Sequence, residues 1–253
     1  MSSKASRVRL DVLLVERGQA ESRQKAQAMI LAGEVEVDGQ RAGKSGQSVR
    51  SDARVEVHSR LQKYASRGGL KLEGALEDFR VDPAGKVCVD VGSSTGGFTD
   101  CLLQRGAARV YAVDVNTDQL AWKLRGDARV IRIKKNARDL KAADLPEAAD
   151  LAVADVSFIS VTKVLPGTTA CLKPGGELLV LVKPQFELER ADVGQGGIVR
   201  ERQLHEKAIE KVRGTAQALG LLDLAVSPSR VTGATGNQEY FLHGRKEAKV
   251  ESE

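Results

Sequence analysis

The sequence predicts an α/β fold: a seven-stranded Rossmann-like sheet with a small N-terminal α+β domain ahead of it. Three observations predict it. From about residue 87 onward, apolar runs of strand length alternate with helix-length segments, the pattern of a mostly parallel sheet with helices on both faces. The first such run, Lys86-Val87-Cys88-Val89, enters Asp90-Val91-Gly92-Ser93-Ser94-Thr95-Gly96-Gly97-Phe98-Thr99, which reads as strand, glycine-rich turn and helix start. Ahead of residue 60 a different pattern holds, two helical segments followed by short alternating strands. A chain of 253 residues accommodates one large core of about 200 residues and a small accessory domain.

The N-terminal elements follow in order. Arg9 to Val15 predicts a first helix closed by Gly18, and Glu21 to Ile30 a second, with apolar residues at helical spacing and Gly33 as its stop. Glu34-Val35-Glu36-Val37-Asp38-Gly39 alternates as a strand entering a turn, and Arg54-Val55-Glu56-Val57 alternates again. In order, R-L-D, then G-x-A-x-S-R-x-x-A, then I-x-x-G-x-V-x-V-x-G resemble the S-four type RNA-binding domain over about 50 residues. Arg9, Arg23 and Lys25 are its candidate RNA contacts, since a helix start carrying cations offers both dipole and charge to phosphate oxygens. A solvated basic helix face is the plainer alternative. The domains expected are 1–59 for this module, 60–66 for a linker, 67–246 for the larger domain and 247–253 for a charged tail.

Composition narrows the function classes. Residues 1–63 carry 12 Lys and Arg against 8 Asp and Glu, while the rest carries 27 against 26, so the basic excess belongs to the N-terminal module. That favours a polyanionic partner there. Aromatics are only 4% of the chain, and the mean hydropathy is -0.26. No stretch approaches the roughly 18 apolar residues of a membrane span, and no secretory apolar segment follows Met1, so a cytoplasmic protein away from membranes is expected. Cys88, Cys101 and Cys171 lack C-x-x-C spacing, and His58, His205 and His243 are scattered, so no metal site is expected.

In the larger domain, a helix from Tyr64 to about Phe79 precedes strands at 87–91, 109–114, 129–133, 150–155, 177–182, 221–227 and 239–243. Helices are expected at 97–105, 117–124, 160–172 and 201–219. A final strand after a long helix fits the seven-stranded methyltransferase variant of the fold. The glycine turn departs from the G-x-G-x-x-G dinucleotide pattern and has an acid two positions before its first glycine, the form typical of S-adenosylmethionine sites. Candidate cofactor contacts are Asp90, Gly92, Ser93, Thr95, Gly96, Gly97 and Phe98 from this turn. Asp114, at the second strand's end, suits a ribose hydroxyl pair. Asn136 suits the adenine, and Asp155 ends the fourth strand beside them. Helix capping by Asp114 and mere packing by the glycines is the alternative reading.

Four polar residues sit where structure alone gives them little reason to be. Lys71 lies in the helix before the first strand, Asp155 and Lys183 end apolar strands, and Glu239 opens the last one. A lysine ending a buried strand must be solvated or paired, because an unpaired buried charge is very costly. Here the resemblance widens. Ser66-Arg67-Gly68-Gly69-Leu70-Lys71-Leu72, Asp90 to Thr99, Asp155-Val156-Ser157-Phe158-Ile159-Ser160, Lys183-Pro184-Gln185-Phe186-Glu187 and Gly236-Asn237-Gln238-Glu239 resemble the TlyA family. That family joins an S-four type domain to an FtsJ-like ribose 2'-O-methyltransferase acting on ribosomal RNA.

The resemblance implies S-adenosylmethionine as cofactor, ribosomal RNA or ribosomal subunits as partner, and a preference for cytidine. It also implies that Lys71, Asp155, Lys183 and Glu239 form a Lys-Asp-Lys-Glu catalytic tetrad, and it adds Arg67 to the RNA contacts. A ribose hydroxyl is a poor nucleophile, so its proton must leave as the methyl arrives. Lys183 is the expected general base, with Lys71 as a neighbouring cation and the two acids positioning lysines and ribose. Asp155-Val156-Ser157-Phe158 also echoes the D-P-P-Y pattern of exocyclic-amine methylation, a chemistry that needs no lysine base. Residues 185–199 are expected to form a mobile loop beside Lys183. A non-catalytic RNA-binding assembly factor, or a haemolysin as the family is sometimes described, remain the rival functions.

Overall fold

The fold is described from a computed structural model for residues 6–20, 22–31, 33–57, 63–233 and 236–248. The chain divides into two compact units, Met1–Gln62 and Lys63–Glu253. Parts of the expected linker (60–62) and tail (249–253) lie outside the described residues.

The first unit runs β1 (Arg7–Arg9), α1 (Leu10–Glu16), α2 (Arg23–Leu31), β2 (Val35–Val37), β3 (Gln40–Arg41), β4 (Ser48–Arg50) and β5 (Val55–Val57). β2 pairs antiparallel with β3 and β5, and β1 with β4. Leu10, Leu14, Ile30, Val35 and Val49 share one small core, drawn from both helices and from β2 and β4, whereas β1 and β3 bury no side chain fully. Arg9 belongs to β1 rather than to the first helix. β1, β3 and β4 escaped sequence reading because strands of two or three residues carry too few positions to show alternation.

The second unit runs α3 (Gly68–Asp78), β6 (Val87–Val91), α4 (Gly97–Gln104), β7 (Arg109–Asp114), α5 (Trp122–Arg125), β8 (Val130–Lys134), β9 (Ala149–Ala154), α6 (Leu165–Ala170), β10 (Leu172–Val182), α7 (Pro184–Glu187), α8 (Arg202–Ala218), β11 (Leu221–Pro228) and β12 (Tyr240–Lys246). Its sheet has seven strands in the order β11-β12-β10-β9-β6-β7-β8. The last five of that order are parallel, whereas β12 runs antiparallel to both β10 and β11. Both faces are buried, which explains the near-continuous apolar runs. Val89, Val91, Tyr111 and Val113 face Leu165 of α6 and Val212 of α8. Cys88, Val110 and Ala112 face Leu72 of α3 and Leu102 of α4.

Two expected helices are broken. The 117–124 segment is a 3-10 turn (Thr117–Gln119) followed by α5, with Leu120 and Ala121 extended between them. That break lets the Ala121 N–H donate to the Thr95 carbonyl (3.1 Å) while Leu120 enters the core. The 160–172 segment is likewise a 3-10 turn (Val161–Lys163) and α6, and β10 already begins at Leu172. α3 starts at Gly68, not Tyr64. Residues before it pack on the sheet's helical cover, with Tyr64 buried and the Ala65 N–H donating to Asp100 (2.7 Å).

Candidate active site

The chain leaves β6 toward β7 on one side and later returns to β9 on the other, so the loops after β6 and β9 flank the point where strand order reverses. Open α/β sheets bind ligands outside the strand ends at that point. The two loops touch: a Cβ on Gly92, whose φ is +86°, would sit 2.5 Å from the Asp155 carbonyl oxygen. Only glycine permits both that conformation and that approach. Gly96 (φ +92°) opens α4, and a Cβ there would meet Leu124 at 2.3 Å.

A cleft of about 230 Å³ opens over these loops. From the glycine turn it is lined by Gly92, Ser93, Ser94, Thr95, Gly97 and Phe98; from α3 and its start by Ser66, Arg67, Gly68 and Lys71. Asp155, Ser157, Lys183 and Thr232 complete it. Three of the four residues singled out as a tetrad thus meet in one cleft. The fourth, Glu239, is 2% exposed and sits behind Lys71, its Oε2 2.5 Å from the Lys71 Nζ. Lys183, 8% exposed, lies 2.5 Å from Asp155 Oδ1 and donates to the Ser157 hydroxyl (2.8 Å). Two acid–base pairs therefore satisfy two lysines that would otherwise be buried and alone. Three of the four flank strand ends: Asp155 follows β9, Lys183 follows β10, and Glu239 precedes β12, while Lys71 lies in the first turn of α3.

Several expected cofactor contacts are placed differently from the lining residues. Asp90 lies beneath the glycine turn at 0% exposure, where its carboxylate accepts the Thr99 hydroxyl (2.6 Å), and burial pushes its pKa up to about 7. It therefore braces the turn against α4 instead of reaching the cleft. Asp114 accepts the Ser94 N–H (2.9 Å) and the Asn116 N–H (3.0 Å), tying the turn to the end of β7. Asn136 is exposed and accepts the Arg138 N–H (3.0 Å) as the cap of a 3-10 turn. Neither Asp114 nor Asn136 lines the cleft. Ser93 Oγ does line it and has no hydrogen-bond partner among the described residues, as a group awaiting a ligand would. The glycine cradle and this hydroxyl fit a small polar ligand such as S-adenosylmethionine.

The expected mobile loop is tied down at its end. Asn237 Oδ1 accepts the Val199 N–H (2.9 Å) and its Nδ2 donates to the Gly197 carbonyl (2.8 Å). In the first unit, Arg9 and Arg23 both converge on buried Asp11, at 2.8 and 3.3 Å, and Gln27 donates to the same carboxylate. These donors hold the Asp11 carboxyl well below the usual carboxylate range, the Arg9 hydrogen bond most of all. Lys25 is exposed nearby on α2, and Arg67 is exposed at the rim of the cleft.

Sequence reasoning did not single out Ser157, which holds Lys183, or Phe158. Phe158 is 92% exposed, has a φ of +64° and lies 5.4 Å from the Phe186 ring. A bulky residue in that conformation is strained, and strain of this kind gathers at functional sites. The signal available was its place three residues after Asp155. The three cysteines are free and buried, and among the described residues no cluster of metal-binding side chains occurs.

A family model described as FtsJ-like methyltransferase matches residues 64–246, and one described as S4 domain matches residues 8–55. The chain is 45% identical over 240 residues to the 16S/23S rRNA (cytidine-2'-O)-methyltransferase TlyA of Mycobacterium tuberculosis, covering 94% of this chain and 90% of that one. It is 42% identical over 238 residues to Hemolysin A of Brachyspira hyodysenteriae, covering 93% and 99%. Among solved structures, a candidate hemolysin from Streptococcus thermophilus superposes with a TM-score of 0.73 at 39% identity, covering 99% of this chain and 93% of that one.

Proposed function

The chain belongs to the FtsJ-like methyltransferase family and carries an S4 domain ahead of that part, and from this premise we propose that it methylates a cytidine ribose 2'-hydroxyl of ribosomal RNA. The observation that carries the reading is the paired lysines. Lys71 with Glu239 and Lys183 with Asp155 stand at a cleft that shares its other wall with the glycine turn.

Bound S-adenosylmethionine supplies an electrophilic methyl group on a sulfonium. Ser93 and the backbone of Gly92, Ser94 and Thr95 are the groups that would hold it in the cleft. Lys183 acts in its neutral amine form, taking the proton of the attacking 2'-hydroxyl on the Nζ lone pair; Ser157 holds the amine on target, and Asp155 pairs with the ammonium that results. Lys71, anchored by Glu239, places a second cation near the oxygen on which negative charge develops. The cleft holds the hydroxyl in line, which is where much of the acceleration arises. In the N-terminal unit, Arg9, Arg23 and Lys25 bind RNA phosphates, and Asp11 sets the two arginines. Action on ribosomes would put its work in the cytoplasm.

Among the described residues no helix is long and apolar enough to cross a membrane. To test the reading, labelled S-adenosylmethionine is incubated with the protein and unmodified ribosomal subunits, and the RNA is digested to nucleosides. Label in 2'-O-methylcytidine supports it. Label on a base, or RNA binding without transfer, favours amine methylation or an assembly factor instead.

A further inference from the structure

A second cavity, of about 490 Å³, begins one residue beyond Ser157, where the first cleft ends. Its apolar wall is the Phe158–Phe186 pair, with ring centroids 5.4 Å apart and planes tilted by 48°. Three cations from three separate elements stand around it: Arg138 after β8, Lys163 after β9 and Lys211 on α8. Arg138 and Lys163 are exposed and form no ion pair with a described residue. Lys211 is committed, donating to the Glu187 carbonyl at 2.5 Å.

The only buried acid of the lining, Glu187, has its carboxylate occupied by the Ser160 hydroxyl (2.5 Å) and the Val161 N–H (2.7 Å). Burial favours its neutral form. The cavity therefore presents free positive charge beside one exposed ring, Phe158, backed by the half-buried Phe186. That combination suits neither a buried apolar ligand nor a folded protein core; it is what stacks and neutralises single-stranded nucleic acid.

Position selects the occupant. Lys183 touches Ser157 and lies 6.0 Å over the Phe186 ring, so the reacting groups and this cavity share a wall. A ribose delivered to Lys183 therefore lies close to the Phe158–Phe186 pair. We propose that this cavity receives the single-stranded RNA adjoining the methylated nucleotide, with Arg138 and Lys163 on its phosphates and the Phe158–Phe186 pair stacking one neighbouring base. The inference rests on the RNA-methyltransferase reading and deepens it.

The test compares wild type with Arg138→Gln/Lys163→Gln, a surface double variant whose Tm and S-adenosylmethionine affinity serve as folding controls. Affinity for in vitro-transcribed ribosomal RNA is measured across salt concentrations. Loss of two single-strand phosphate contacts makes the slope of log K against log salt shallower by about 1.4. Photocrosslinking of 4-thiouridine-substituted RNA to wild type then locates the base, expected in the peptides 157–163 or 184–188. An unchanged slope overturns the proposal, and crosslinks confined to other peptides overturn the stacking. If wild type binds RNA but transfers no methyl, the enzymatic reading falls while the slope comparison still decides the cavity.

Discussion

Lys71 and Glu239 make the more buried of the site's two ion pairs, and its acid is the more exposed to mutational loss. Removing one partner of a buried pair leaves the other charged, desolvated and alone. Glu239→Ala is therefore expected to lower stability by about 3 kcal/mol in urea titrations as well as activity, and Glu239→Gln to lower stability less. Equal stability of both variants with wild type would show that Lys71 finds solvent easily. Asp90 gives a pH prediction. Its pKa rises from 3.8 unfolded to about 7 folded, mainly through desolvation, so between those values the native state holds a proton that the unfolded chain has released. Its contribution to stability is full below pH 3.8 and is lost as pH rises through 7. Relative to Asp90→Asn, wild-type stability should decline across that window; a constant difference from pH 4 to 8 would contradict it. Asp155, Lys183 and Glu239 stood out in the sequence because charged side chains interrupt apolar strand ends; Lys71, inside a helix, has no such signal, and grouping the four rested on the family resemblance. Phe158 did not stand out, because one aromatic in a loop has no period, and its exposure and positive φ appear only in three dimensions. Asp90 was read as a ligand contact because a strand-end acid looks the same in sequence whether it points out of the sheet's end or under the turn.

At the scale of elements, the turn between β6 and α4 is the most constrained piece of backbone in the site. Gly92→Ala adds a Cβ 2.5 Å from the Asp155 carbonyl in a left-handed conformation, so the loops after β6 and β9 must move apart. The expected loss is about 1–3 kcal/mol of stability, together with weaker S-adenosylmethionine binding in calorimetry. Unchanged binding would mean that the turn is not the cofactor cradle. Central strands were legible to within a residue or two, since two-sided burial leaves long Val, Leu and Ala runs such as Leu178–Val182. Residues 172–176 were missed as the start of β10 because Pro174-Gly175 reads as a turn, and the strand pairing is indeed irregular there. The 117–124 segment has helical composition, yet the Ala121 bond to Thr95 outweighs it, a tertiary contact that local propensity cannot report.

For the whole molecule, two compact units carry different kinds of evidence. The larger one declares itself through chemistry at strand ends, the smaller through charge and a short helical motif whose arginines prove to be organised by Asp11. The basic excess was legible from counting alone, but the convergence of Arg9, Arg23 and Gln27 on one carboxylate was not, because those residues are 12 or more positions apart for all but the first. Both units point to RNA, and the account stands or falls on whether Lys183 carries the methyl transfer. The decisive measurement is single-turnover transfer of labelled methyl from S-adenosylmethionine to unmodified ribosomal subunits by wild type and Lys183→Ala, with cofactor and RNA affinities measured in parallel. A drop of about 10²–10⁴-fold in rate with both affinities retained is the predicted result. Transfer by Lys183→Ala at the wild-type rate would contradict the account, as would wild-type protein that binds both ligands and transfers nothing.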